Sequence, residues 1–120
     1  MLLREMAKIG SIDTQVGKTG NYEIWIYTND AGNKPHFHIV NEQNGFSSCI
    51  EICNPLYFKH EGKMDELNHK LKKSLIYFLK SKRKRGGTYW EFLCDCWEAN
   101  NSSMELPDDI YDNMPDYMFL

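Results

Sequence analysis

Three β-strand patterns, separated only by short turns, constrain the fold of this chain more than any other feature. They are YEIWIYTN (22–29), HFHIV (36–40) and FSSCIEIC (46–53). Each is rich in β-branched and aromatic residues, which suit a pleated and half-buried surface. The links between them carry Asp, Gly, Asn and Pro, and Asn44-Gly45 favours a tight hairpin. The sequence therefore predicts an antiparallel meander.

The segment before the meander has a much weaker pattern. MLLREMAKI (1–9) suits either a short helix or an edge strand, and GSIDTQVGKTGN (10–21) is interpreted as a loop because of its glycines and polar residues. A first helix is predicted after the meander, because apolar residues recur at spacings of three and four from Met64 to Leu79. It is expected to run into the basic residues KSKRKR, with Gly86 as its stop.

A second helix is predicted directly afterwards. Thr88 and Glu91 have the spacing of a capping box. Trp90 and Trp97 lie seven residues apart, on one side of the helix, and are expected in the core. We predict a single α+β domain over residues 1–103 and an irregular, acidic and aromatic tail over 104–120 that docks on its own domain or on a partner.

Composition limits the classes of protein that fit. A chain of 120 residues with 42% apolar content supports one folded domain. The net charge of −3 gives no overall attraction to nucleic acid or anionic membrane. No apolar run approaches a membrane span, so no membrane association is expected. The four cysteines lack Cys-x-x-Cys spacing and the N-terminus lacks a secretory signal, so reduced thiols in a cytoplasmic protein are expected.

The second strand pattern sorts two histidines onto one face of the sheet. Alternate residues of a strand share a face, so His36 and His38 point together, away from Phe37 and Ile39. If the apolar residues face the helices, the opposite and open or partly covered face gathers a set of chemically capable side chains. These are His36, His38, Cys49, Glu51, Trp25 and Tyr27.

Three hypotheses remain open for this face. Two imidazoles of a His-x-His strand can bind one divalent metal, with Glu51 or Cys49 completing the site. His36 and His38, with Glu51, are also candidate catalytic residues, because histidine titrates near neutral pH. A structural or ligand-contact role is the third. We expect no cofactor, with a divalent metal as the alternative.

A basic run at the end of the first predicted helix is the second candidate surface. KSKRKR places cations at Lys80 and from Lys82 to Arg85, and we take Lys82, Arg83 and Arg85 as candidate ligand-binding residues. Such a patch can bind phosphates of RNA, DNA or a nucleotide. The alternative is a solvated helix end that the acidic tail neutralises.

The segment IYTNDAGNKPHFHIV (26–40) resembles a family of small bacterial and phage domains of unknown function. That family has a strand, a short polar turn, Pro-His-x-His and another strand, which residues 35–38 match here. Lys34 stands where the family often has a second proline. The resemblance covers about residues 22–80 and implies a meander with a helix. Members sometimes lie beside toxin–antitoxin genes, which implies a role in regulation or defence.

Together these observations predict an antiparallel sheet of three or four strands with two helices packed on one face. The leading function is a small cytoplasmic binding or regulatory protein of bacterial or phage origin, acting through the histidine face and the tail on a protein or a small anionic ligand. The alternatives are a toxin-like ribonuclease that uses His36 and His38 as acid and base, a metal-binding protein, and a phage virion or assembly component. The oligomeric state is not set by the sequence.

Overall fold

Four antiparallel strands in the order β1-β2-β3-β4 form the sheet of this protein, as the meander pattern predicted. A computed structural model describes residues 13–28, 34–53, 67–101 and 105–114. The strands are β1 (Thr14–Thr19), β2 (Tyr22–Ile26), β3 (His36–Asn41) and β4 (Phe46–Glu51). The helices are α1 (His69–Lys80), α2 (Tyr89–Asn100) and a 3-10 turn at Asp108–Ile110. The α+β prediction is confirmed.

Strand β1 occupies part of the segment interpreted as a loop, so that interpretation is wrong for Thr14–Thr19. Gly17 lies within this strand and does not end it. A Cβ atom at Gly17 would lie 2.5 Å from Cζ of Phe78, so the strand needs glycine where the helices approach it. The register shifts between Gln15 and Gly17, and Val16 at this bulge is buried.

The core lies between the sheet and the two helices. The strand residues expected to point inward are all at most 2% exposed: Ile24, Ile26, Phe37, Ile39, Ile50 and Ile52. From α1 the core receives Leu71, Leu75 and Leu79, which recur every four residues on one side of the helix. The Met64 end of the predicted apolar stripe lies outside the described residues.

Helix α1 ends before most of the basic residues that were expected to belong to it. Its last residue is Lys80, and the hydroxyl and backbone N–H of Ser81 both donate to Phe78 O. The remaining basic residues form a turn closed by an isolated bridge between Lys82 and Thr88. Gly86 lies in this turn with φ +100, so the prediction that it stops the helix is wrong.

Helix α2 begins as predicted. Thr88 and Glu91 form the capping box, and Trp90 and Trp97 are buried in the core. Its end is joined to the sheet by two buried asparagines. Asn100 Nδ2 lies 3.1 Å from Thr14 Oγ1, and Asn101 Nδ2 lies 3.2 Å from the carbonyl oxygen of Tyr27.

The described part of the acidic tail packs on α2 of its own chain. Trp90 Nε1 donates to the carbonyl oxygen of Ile110 at 2.7 Å. The Glu98 carboxylate accepts from Leu106 N at 2.9 Å and from the hydroxyl of Tyr111. Residues 104 and 115–120 of the predicted tail lie outside the described residues. Within the described ranges, neither helix has the length and apolarity needed to cross a membrane.

Candidate functional site

The pairing of strands β2, β3 and β4 places the predicted site residues side by side. His38 lies opposite Trp25 on one neighbouring strand and opposite Cys49 on the other. His36 lies opposite Glu51. Directly opposed residues have close Cβ atoms, and their side chains project from the same face of the sheet.

Three of these side chains converge. One ring nitrogen each of His36 and His38 and the sulfur of Cys49 lie within 4.8 Å of one another. In a tetrahedral zinc site, bond lengths of 2.0–2.3 Å place neighbouring ligand atoms about 3.5 Å apart. Shifts of about 1 Å would therefore bring the three donors to a common metal ion.

His36 is held from two sides. Its ring is 1% exposed, and Nδ1 lies 2.6 Å from the carbonyl oxygen of Lys34. A carbonyl oxygen only accepts, so Nδ1 carries a proton, and in the neutral imidazole Nε2 carries the lone pair. The ring of Trp97, from α2, lies 5.4 Å from the His36 ring between centroids. This arrangement fixes both the orientation and the tautomer of the imidazole.

The His38 ring packs against the rings of Tyr27 and His36. The Tyr27 ring is 4.2 Å from the His38 ring between centroids, and the two histidine rings are 5.0 Å apart. The Trp25 ring is 6.3 Å from the Tyr27 ring between centroids, and Trp25 Nε1 donates to the Glu23 carboxylate at 2.9 Å. The predicted grouping of Trp25 and Tyr27 with the histidines is therefore present in the structure.

Glu51 does not belong to the converging group. It shares the face and the register with His36, but its carboxylate lies 4.0 Å from the Lys34 ammonium group. Of the two alternatives for the third ligand, Glu51 and Cys49, it is Cys49, directly opposite His38, that lies with the histidines. The face is covered at this point, because His36 and Cys49 are both buried.

The other three thiols have different surroundings. Cys53 is exposed, although partial burial and the nearby Glu51 raise its pKa. Cys94 and Cys96 are buried in α2, and burial raises the pKa of Cys96 to about 12 and that of Cys94 further. The latter two are therefore protonated packing residues at neutral pH.

The candidate basic residues lie in the turn between α1 and α2. Lys82 and Arg85 are exposed, whereas the guanidinium carbon of Arg83 lies 3.6 Å from the centroid of the Phe92 ring. Arg83 thus has a packing role against α2 in addition to its charge. None of the three belongs to the converging group of His36, His38 and Cys49.

Two features of the site escaped the sequence reasoning. The acceptor for His36 is a backbone oxygen, that of Lys34, which no side-chain pattern reveals. The cover over His36 comes from Trp97, 61 positions along the chain, which the helical spacing assigned only to the core. Comparisons with protein-family models, with curated proteins and with solved structures found no match.

Proposed function

We propose that this protein binds one divalent transition-metal ion, Zn²⁺ in the first instance, through His36, His38 and Cys49. The observation that supports this most directly is the convergence of two imidazole nitrogens and one sulfur within 4.8 Å. The donors lie on β3, which is central in the sheet, and on β4, which is its edge strand. Six paired positions join these two strands, from His36 and Glu51 to Asn41 and Phe46, so the donors are carried by a regular hydrogen-bonded support.

The donor set determines the class of metal. Imidazole suits zinc, copper, iron and nickel, and thiolate adds a preference for the softer of these ions. The hard cations Mg²⁺ and Ca²⁺ prefer oxygen ligands. Three protein ligands leave a fourth position of a tetrahedral ion for water or a further ligand. Binding would require loss of the Cys49 thiol proton to solvent, so affinity falls as the pH is lowered.

The backbone contact of His36 supports the same proposal. Histidine ligands usually donate their second ring N–H to a carboxylate or a backbone carbonyl, which orients the ring and makes the ligating nitrogen more basic. The bond from Nδ1 to Lys34 O has this form, so Nε2 would be the ligating atom of His36 in this proposal.

Cobalt titration tests the proposal. Co²⁺ replaces Zn²⁺ in such sites and has two useful spectral features. Thiolate ligation gives a near-ultraviolet charge-transfer band, and tetrahedral geometry gives visible bands. We expect one Co²⁺ per chain with both features, and displacement by Zn²⁺. Cys49→Ser should abolish the charge-transfer band, and His38→Ala should weaken binding by at least about 100-fold, since a direct ligand counts for more than its outer partners.

Cys53→Ser is the matched control, because it removes an exposed thiol four residues further along the same segment. This variant should retain the full spectrum. Circular dichroism establishes that each variant is folded. A charge-transfer band that survives Cys49→Ser, or a folded wild-type protein that gives no band at all, would show that the three side chains only pack together.

Burial of His36 weighs against the ribonuclease alternative. An acid–base pair must reach the substrate, and His36 is 1% exposed with Nδ1 held by Lys34 O. Incubation of purified protein with total RNA, with and without added Zn²⁺, distinguishes the two. RNA cleavage that is lost in His38→Ala but unaffected by a chelator would favour the ribonuclease.

The expected regulatory role is compatible with metal binding. The Tyr27 ring packs on His38 and continues to Trp25, so a metal held by His38 would fix the aromatic part of this face. In this proposal, metal occupancy controls how the face is presented to a protein partner.

A further inference from the structure

A pocket lies where the end of the sheet meets the beginning of α1. It has a volume of about 450 Å³ and shares no residue with the His36, His38 and Cys49 group. Small-molecule sites typically occupy about 300–1,000 Å³. The pocket is therefore large enough for a small metabolite, and its lining identifies the chemistry of that molecule.

Hydrogen-bonding side chains dominate the lining. The residues that line the pocket carry three amides, three hydroxyls and one ammonium group: Asn21, Asn41, Asn68, Thr19, Tyr22, Ser74 and Lys70. In the part of the chain that the structure describes, no acidic side chain lines it. With one cation, several neutral donors and no carboxylate among its described lining residues, the pocket favours a negatively charged ligand.

Asn41 is the buried member of this set. Strand β3 directs Phe37, Ile39 and then Asn41 inward, so an amide stands where the alternation would continue with an apolar residue. The side chain is 6% exposed, and its Oδ1 accepts from Gln43 N at 3.0 Å. The amide NH₂ therefore points away from that bond, and it has no acceptor among the described residues. Ser48 Oγ is the one buried side-chain polar atom without a partner among the described residues, so the Asn41 NH₂ group is reached by solvent and can donate to a ligand in the pocket.

The first turn of α1 forms the opposite wall. Asn68 caps the helix, with Oδ1 accepting from Leu71 N at 2.8 Å. Lys70 is in this first turn, and the turn contains no acidic residue. The N–H groups of a first helical turn and their partial positive charge attract anions.

From this geometry we propose that the pocket binds a small phosphorylated molecule. Its phosphate accepts hydrogen bonds from the Asn41 NH₂ group and the start of α1, and it pairs with the Lys70 ammonium group. The Thr19, Asn21 and Ser74 side chains contact the remaining polar part of the ligand. This site is independent of the metal proposal.

Titration with ribose 5-phosphate, followed by the backbone amide signals in heteronuclear NMR, tests the proposal. Ribose is the uncharged reference and inorganic phosphate tests the anion alone. We expect ribose 5-phosphate to shift the amides of residues 19–22 and 68–74 in a saturable manner, and ribose to leave them unchanged. Saturation by inorganic phosphate at similar affinity would assign the site to the anion rather than to a sugar phosphate.

Two variants locate the contacts. Lys70→Glu should weaken binding at least about tenfold, because it replaces a charge-assisted hydrogen bond by repulsion. Asn41→Asp keeps the oxygen that accepts from Gln43 N but replaces the donor by a negative charge, so it should weaken binding to a similar extent.

Lys73→Glu is the matched control, since it makes the same change of charge at an exposed residue of the same helix that does not line the pocket. It should change affinity less than about threefold because screening limits the effect of exposed charges. The proposal is overturned if Lys73→Glu weakens binding as much as Lys70→Glu, if both pocket variants bind normally, or if no signal saturates.

Discussion

The close contact of Gly17 with two aromatic rings leads to a quantitative prediction. A Cβ atom at this position would lie 2.5 Å from Cζ and 2.9 Å from Cε2 of Phe78, and 3.4 Å from Cδ1 of Tyr89. The backbone of Gly17 lies outside the left-handed region, so alanine is acceptable to the backbone itself. Any cost of Gly17→Ala therefore arises from this steric overlap.

The rings cannot move aside without loss. Phe78 would have to shift by about 1 Å, and it is stacked on Tyr89 with centroids 4.2 Å apart. Both rings pack against the core cluster. Overpacking of this kind costs about 1–3 kcal/mol. For a domain of this size, that corresponds to a fall in Tm of about 4 to 12 °C.

A double-mutant cycle with Phe78→Leu isolates the cause. Chemical denaturation should show that Gly17→Ala costs at least about 1 kcal/mol less when the ring is absent, because the two changes are directly coupled. Gly20→Ala is the comparison, since nothing lies within 4 Å of its Cβ and its φ of +59 alone opposes alanine. An equal cost of Gly17→Ala with and without the Phe78 ring would refute the steric explanation.

Three further predictions concern the tail, the thiols and pH. Glu98→Ala should release residues 105–114 to limited proteolysis and lower stability by about 2 kcal/mol, because it removes the acceptor of Leu106 N and the Tyr111 hydroxyl without lowering helix propensity. Alkylation of the native protein, followed by mass spectrometry, should label Cys53 before any other thiol, since it is the exposed one; equal labelling of Cys96 in the native state would contradict the burial of α2. Because burial raises the pKa of Cys96 from 9.0 to about 12, the thiol loses its proton at lower pH in the unfolded chain than in the folded one. The stability that the buried thiol contributes should therefore be intact below pH 9.0 and should fall as the pH rises from 9.0 to about 12. Cys96→Ala should show a shallower loss over this window in pH-dependent denaturation, and an unchanged slope would contradict the assignment.

The meander was predictable because the alternation of residues and the turn residues agree. Asn44-Gly45 and the apolar positions of β3 and β4 indicate the same pairing, and the inward residues follow from it. Strand β1 was not predictable, because a glycine such as Gly17 is typical of a loop in the sequence. The reason for glycine in this strand is the close approach of Phe78 and Tyr89, which only the tertiary structure shows. The end of α1 depended in the same way on tertiary contacts, since Arg83 packs on Phe92 and Thr88 starts the next helix.

The candidate site was predictable as a face but not as a set of ligands. Alternation placed His36, His38, Cys49 and Glu51 together. It did not determine which of them converge, because that depends on the hairpin register and on the contact between Glu51 and Lys34. Cys49 is the residue that joins the two histidines, because it lies directly across from His38 on the neighbouring strand.

The asparagines at the end of α2 have a consequence for how the chain reaches its native state. Asn100 and Asn101 bond to residues 74 to 86 positions earlier, at the ends of β1 and β2. Contacts between such distant positions require closure of a long loop, and they slow folding relative to local contacts. During synthesis, the first hairpin leaves the ribosome well before these asparagines do. The end of the sheet that they close is therefore completed only after α2 has been made.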